Sequence, residues 1–231
     1  MRTEKILLYP ERHDVSLTTY LIAQEGELKT VGKRPAVLIC PGGGYLGCSD
    51  REAEPAALAF NAMGYHSFVL RYSTWMEGKE EFPDLKRFRV KPHLVHPAPV
   101  LEIGMAMKYI YDHGPDWLID TEKIALCGFS AGGHNAAMYG VYWNKPLITD
   151  SIPIESWIIR PAALILSYAL TDYVHFFMHM DEMSESNRTY FEMSIKAFLG
   201  ENVDEEMLYS VSLARLVDDH VPPNIFVGHL K

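Results

Sequence analysis

The sequence predicts an α/β fold: a mostly parallel sheet covered by helices on both faces. Short apolar runs alternate with amphipathic stretches of ten or more residues, the pattern of βαβ units. Several of those runs, such as Ala36-Val37-Leu38-Ile39-Cys40, are apolar throughout, as strands buried on both faces must be. A Gly-x-Ser-x-Gly sequence falls between one such run and a helix opening on small residues. With 231 residues, 48% of them hydrophobic, the chain can bury one sizeable core, and a single domain over 1–231 is expected.

The elements follow in order. Lys5 to Tyr9 and Ser16 to Ala23 read as two strands of an edge hairpin or meander, the second alternating in the half-buried manner. The strand at 36–40 runs into Pro41-Gly42-Gly43-Gly44-Tyr45. Ser49-Asp50-Arg51-Glu52 opens a helix to about Met63, closed by Gly64, and His66 to Tyr72 is another buried strand. A long, charged and aromatic connection leads to His96-Pro97-Ala98-Pro99 and the amphipathic helix Val100 to Tyr111. Lys123 to Cys127 is a short strand, 131–139 a helix, and Pro161 to Ala169 a further buried strand. Thr171 to Leu199 is rich in Met and aromatics and is expected to be helical, a cap over an apolar acyl pocket. Pro222-Pro223 introduces a last strand, Asn224 to His229.

Gly128-Phe129-Ser130-Ala131-Gly132 has the strand before it and the helix after it that a nucleophile elbow requires. The serine is expected in a strained backbone conformation, with glycines two positions either side letting strand and helix approach. Its hydroxyl would stand over a helix N-terminus, where developing negative charge is favoured.

Once that elbow is placed on an α/β sheet, Pro41-Gly42-Gly43-Gly44-Tyr45 gains a meaning beyond a glycine turn. The chain resembles the α/β-hydrolase superfamily, and more closely its acetyl esterase or acetylxylan-esterase-like (lipase/esterase) branch. The resemblance is carried by the segments 41–45, 64–73, 96–99, 128–134, 160–168 and Pro222-Pro223, in the expected order over almost the whole chain. One departure is Pro41, where many lipase and esterase relatives have His.

The resemblance implies a three-layer α/β-hydrolase sandwich and a serine carboxylic-ester hydrolase for acetyl or short acyl groups, on acetylated sugars among other alcohols. Ser130 would be the nucleophile, and the N–H groups of Gly43, Gly44 and Ala131 the oxyanion donors. In this fold the acid and then the histidine follow the serine in the chain. The resemblance places both beyond Lys231, so the chain is expected to be C-terminally truncated, lacking the last strand and helix. The general base is therefore unassigned.

Residues within the chain were weighed as substitutes. His134 lies on the serine's own helix, where its ring should sit over the turn below. His229 ends a strand near the acid's neighbourhood and reads as structural. His175 and His179, at helical spacing, suggest a metal pair only if a third ligand joins them, and a cap-surface reading is the plainer one. Asp172 follows the strand at 161–169, where some α/β-hydrolases carry their acid; it stands as the candidate acid, against a helix-capping role. Trp75, Trp117 and Trp143 could stack on a sugar, but isolated tryptophans more often belong to core or rim.

Composition excludes other classes. Thirty acidic against 21 basic residues give a net charge of -9 with no basic tract, which argues against nucleic acid or an anionic membrane as partner. Cys40, Cys48 and Cys127 have no metal-ligand spacing, and buried free thiols are expected. No signal-peptide core or membrane-length apolar run is present, so a cytoplasmic protein is expected. No cofactor or metal is implied, the partner is a small-molecule ester, and a homodimer is allowed. Two alternatives stay open: a catalytically incomplete remnant binding small ligands, and a peptidase, which lacks the accompanying domain.

Overall fold

A computed structural model describes residues 1–25, 32–79 and 87–228. The strands are β1 (Arg2–Tyr9), β2 (Arg12–Leu21), β3 (Arg34–Cys40), β4 (His66–Arg71), β5 (Ile119–Phe129), β6 (Ala163–Ser167) and β7 (Asn224–Val227). They form one sheet in the order β1-β2-β4-β3-β5-β6-β7. The pairs β1–β2 and β2–β4 are antiparallel, and every pairing from β4 to β7 is parallel. The architecture is the mostly parallel, doubly covered sheet that the strand–helix alternation implied, and the α/β-hydrolase sandwich that the resemblance implied.

Strand periodicity sorts the core into two layers. In β3, Val37 and Ile39 face Ala53 and Ala57 of the segment leading into and through α1 (Glu54–Ala62). Ala36, Leu38 and Cys40 face the larger cluster, which holds α2 (Ala98–Asp112) and a later helix, α4 (Ala131–Tyr142). A single turn, α3 (Gly114–Trp117), lies between them in the chain and leads into β5. α4 is buried from Ala131 to Val141, a close fit that its alanines and glycines permit. The helix expected from Ser49 to Met63 is instead a 3₁₀ turn at Asp50–Glu52 followed by α1. The break falls at Ala53, and Pro55, which has no N–H to donate, sits in the first turn of α1.

Beyond α4 come the short α5 (Pro146–Thr149), α6 (Tyr173–Met178), α7 (Glu185–Leu199) and α8 (Glu205–Ser210). The expected cap at 171–199 is thus two helices, parted by a 3₁₀ turn; Ser184 caps the second by accepting from Asn187 N–H. All three cysteines carry free thiols, Cys40 and Cys127 within the core. Trp117 and Trp143 are buried, and Trp75 lies between the Phe88 ring, stacked at 5.0 Å, and the Lys91 ammonium at 4.8 Å from its centroid. The His229 reading falls outside the described residues. No helix among the described residues is long and apolar enough to cross a membrane.

Candidate active site

β5 ends at Phe129 and α4 begins at Ala131, so Ser130 must reverse the chain alone. It does so at φ 50° and ψ −118°, a conformation that L-residues rarely adopt. Close packing forces it. A Cβ on Gly128 would overlap the carbonyl of Gly132, and one on Gly132 would overlap the carbonyl oxygens of Cys40 and Pro41. Both flanking glycines are therefore required by backbone-to-backbone approach. Ser130 N–H donates to Ser167 O at 2.9 Å, tying the turn to the end of β6. The side chain stays half-exposed, and no hydrogen bond engages its Oγ among the described residues.

The glycine turn after β3 lies alongside. Gly43 and Gly44 take φ of +135° and +63°, and Tyr45 follows at 57°. Gly43 O accepts from Leu46 and Gly47 N–H at 3.0 and 3.3 Å, which curls the turn, and the Gly43 and Gly44 N–H groups have no acceptor among the described residues. Ala131 N–H, the first of α4, likewise has no acceptor among the described residues. A point 2.9 Å from Ser130 Cβ, where a Cβ on Gly42 would fall, marks how closely elbow and turn approach. The structure thus gathers Ser130, Gly43, Gly44 and Ala131 at the C-terminal ends of the two central strands. That arrangement can hold a carbonyl carbon against a hydroxyl while N–H donors meet its oxygen.

The remaining candidates lie elsewhere. His134 is fully buried, with Nε2–H donating to Val211 O at 2.9 Å. That fixes Nδ1 as acceptor for the Tyr45 hydroxyl at 2.7 Å, so both ring nitrogens are committed. Burial lowers its pKa to about 4, keeping the ring neutral. Its work is to brace Tyr45, the residue that closes the glycine turn.

Asp172 caps α6 by accepting from His175 N–H at 2.9 Å, and Arg215 Nε donates to both its oxygens at 3.0 and 2.9 Å. The Arg215 bonds hold this carboxyl below the usual range. No imidazole among the described residues pairs with it. His175 and His179 stack at 4.2 Å on the exposed face of α6, and no group of three His, Cys, Asp or Glu side chains among the described residues could hold a metal ion.

Three groups at the site escaped the sequence reading. Glu52 bonds Gly42 and Tyr168, as described below. Tyr190 and Ser194 of α7 meet the glycine turn, since a Cβ on Gly44 would run into the Tyr190 hydroxyl and lie 3.3 Å from Ser194 Oγ. The only signal for the last two was their place in the aromatic-rich stretch assigned to a cap. A cavity of about 400 Å³ opens beside α7, lined by Phe88, Arg89, Glu192, Met193, Lys196 and Glu201. Neither Ser130 nor the glycines line it.

This geometry agrees with what the chain resembles. A family model described as BD-FAE matches residues 86–229, more than half of the sequence. The chain belongs to the BD-FAE family. It is 31% identical over 192 residues to endo-1,4-beta-xylanase B of Butyrivibrio fibrisolvens, matching 83% of this chain and 26% of that protein. It is 26% identical over 191 residues to the acetylxylan esterase of Xylanibacter ruminicola, matching 81% of this chain and 31% of that one. The chain thus spans about a quarter to a third of the length of these relatives. Among solved structures, the acetyl ester-xyloside bifunctional hydrolase of Caldicellulosiruptor lactoaceticus superposes with a TM-score of 0.71 at 26% identity, over 97% of this chain and 74% of that one.

Proposed function

We propose that this BD-FAE member is a serine esterase that removes short acyl groups, acetyl above all, from acetylated xylan-type sugars. One observation carries the mechanism: a half-exposed Ser130 held at φ 50°, beside three N–H groups that have no acceptor among the described residues. In this reading Ser130 Oγ attacks the ester carbonyl carbon. The oxygen of the tetrahedral intermediate is met by the N–H groups of Gly43, Gly44 and Ala131, each such donor being worth about 3 kcal/mol to the transition state. Collapse expels the sugar alcohol, which leaves with a proton, and a water then hydrolyses the acyl-enzyme to the free acid. The base that accepts the serine proton and the acid that orients it are assigned to residues outside those described. The substrate class is supported by the xylanase and acetylxylan esterase relatives and by the acetyl ester-xyloside hydrolase neighbour.

A second reading, a ligand-binding domain without turnover, is favoured by a single fact. No imidazole among the described residues is hydrogen-bonded to Ser130 Oγ. Release of p-nitrophenol from p-nitrophenyl acetate by the chain and by Ser130→Ala separates the two. The esterase reading expects the variant to lose essentially all turnover above background; equal rates would sink it. Release of acetate from acetylated xylan then tests the substrate.

A further inference from the structure

We propose that Glu52 is a positioning residue that holds the oxyanion turn in register with the elbow, acting through Gly42 and Tyr168. The proposal rests on the esterase reading above and assigns a role to a carboxylate that takes no part in bond making.

Glu52 ends the 3₁₀ turn between the glycine turn and α1. Its Oε2 accepts from Gly42 N–H at 2.7 Å, and its Oε1 accepts from the Tyr168 hydroxyl at 2.7 Å. Gly42 O in turn accepts from Ser49 N–H at 2.8 Å, so both polar backbone atoms of Gly42 are held by residues 49–52. Tyr168 is the residue after β6, at φ 40°. It follows Ser167, whose carbonyl receives Ser130 N–H, and its ring tilts against Phe129 at 6.1 Å. One carboxylate therefore joins the ends of β3 and β6 across the end of β5, where Ser130 stands. Its closeness is direct: Glu52 Oε2 and Ser130 Cβ lie 2.8 and 2.9 Å from the same point above Gly42.

The chemistry explains why an acceptor is needed there. The Gly42 N–H, drawn to Glu52, cannot point at a substrate, and the peptide plane before Gly42 is thereby fixed, while Ser49 N–H on Gly42 O holds the plane that follows. The next two N–H groups, those of Gly43 and Gly44, are the ones left without an acceptor among the described residues. Burial, reinforced by the Glu52 bond, pushes the Tyr168 phenol up to about 12, so it remains a donor across the working range of the site. A glycine turn has little stiffness of its own, and oxyanion donors act only when held in place before reaction.

Three variants test this, compared with the unaltered chain: Glu52→Ala, Glu52→Gln, which keeps an acceptor oxygen, and Tyr168→Phe, which deletes one bond and leaves the Gly42 bond intact. Two readouts are taken, kcat and KM for p-nitrophenyl acetate and amide hydrogen exchange at Gly42. Glu52→Ala is expected to lower kcat by up to about 10²-fold, the cost of roughly 1 Å of misplacement, with a much smaller change in KM. It should also speed Gly42 exchange at least about tenfold, in line with loss of a bond to a charged acceptor worth about 1.4 kcal/mol or more. Glu52→Gln should recover at least about tenfold of the lost kcat and restore slow exchange, with Tyr168→Phe in between. Unchanged kcat in Glu52→Ala, or Glu52→Gln as impaired as Glu52→Ala with Gly42 exchange unmoved, overturns the assignment. If Glu52→Ala does not fold, the Gln and Phe variants decide alone: both as active as the unaltered chain, with slow Gly42 exchange in both, is the overturning result. Should Ser130→Ala hydrolyse as fast as the unaltered chain, the esterase reading fails, and Gly42 exchange still decides whether Glu52 holds the turn.

Discussion

The centre of the sheet and its β7 edge are built from similar apolar residues, yet only one is closed. In β3 every residue from Ala36 to Cys40 is fully buried, with helices against both faces. In β7 the consecutive side chains Ile225, Phe226 and Val227 are 64%, 54% and 53% exposed, so neither face is covered. β7 pairs only with β6 among the described strands. The difference teaches where this fold stores its constraint. The nucleophile and oxyanion turns grow from the closed centre, where strain such as Ser130 at φ 50° is imposed by surrounding backbone. The edge imposes nothing of the kind.

Gly132→Ala is the severest test of that contrast. Its new Cβ would meet two carbonyl oxygens of the neighbouring chain segment, which are backbone and cannot rotate away. Overpacking against backbone should cost more than about 3 kcal/mol, seen as a large drop in the urea midpoint or as failure to fold. A variant that melts within about 1 kcal/mol of the unaltered chain would show that the centre yields as readily as the edge.

Next in size is Glu102, a carboxylate locked into the closed half. It is fully buried, accepting from Ser73 N–H at 2.6 Å and Ser73 Oγ–H at 2.5 Å, with Arg12 Nη1 at 3.8 Å. Burial raises its pKa from 4.5 to about 7, against the opposing pull of the Ser73 bonds and Arg12. The sign follows from linkage. Below 4.5 both folded and unfolded chains hold the proton; between 4.5 and about 7 only the folded chain does, so stability falls as pH rises and levels off above. The loss amounts to up to about 3 kcal/mol. Urea titrations at pH 5 and 8 should show this decline, and Glu102→Gln should remove that part of it. An identical pH slope in the variant would mean that the buried half accommodates the charge.

The same contrast decides what the sequence made legible. The parallel strands were readable because burial on both faces demands unbroken apolar runs, and the elbow because Gly128, Ser130 and Gly132 meet a steric requirement with almost no other solution. Gly42-Gly43-Gly44 was readable for the same reason. Glu52 was not, since its meaning lies in two bonds to residues 10 and 116 positions away, and a Glu in a helix-opening turn looks like ordinary dipole compensation. Asp172 shows the reverse. Its position after β6 suggested an acid, while the cap on His175 and the pairing with Arg215 are contacts that position alone could not distinguish from it. Period also misplaced boundaries: β5 begins at Ile119, four residues before the strand expected from Lys123, because pairing with β3 at Arg34 carries the polar stretch along.

The smallest effect belongs to the edge. Phe226→Lys replaces an exposed ring with a charge on a strand whose partner is on one side only. With no packing to lose, stability should change by no more than about 0.5 kcal/mol, an order below the expectation for Gly132→Ala. Association should respond instead. Three consecutive exposed apolar side chains on a strand paired on one side among the described strands form a template for pairing with another copy, and a lysine on an edge strand opposes it. Sedimentation of the unaltered chain across a concentration series should reveal self-association that Phe226→Lys diminishes. If the substitution instead destabilises by more than about 2 kcal/mol, Phe226 makes native contacts like those of a core residue, and the edge is closed after all.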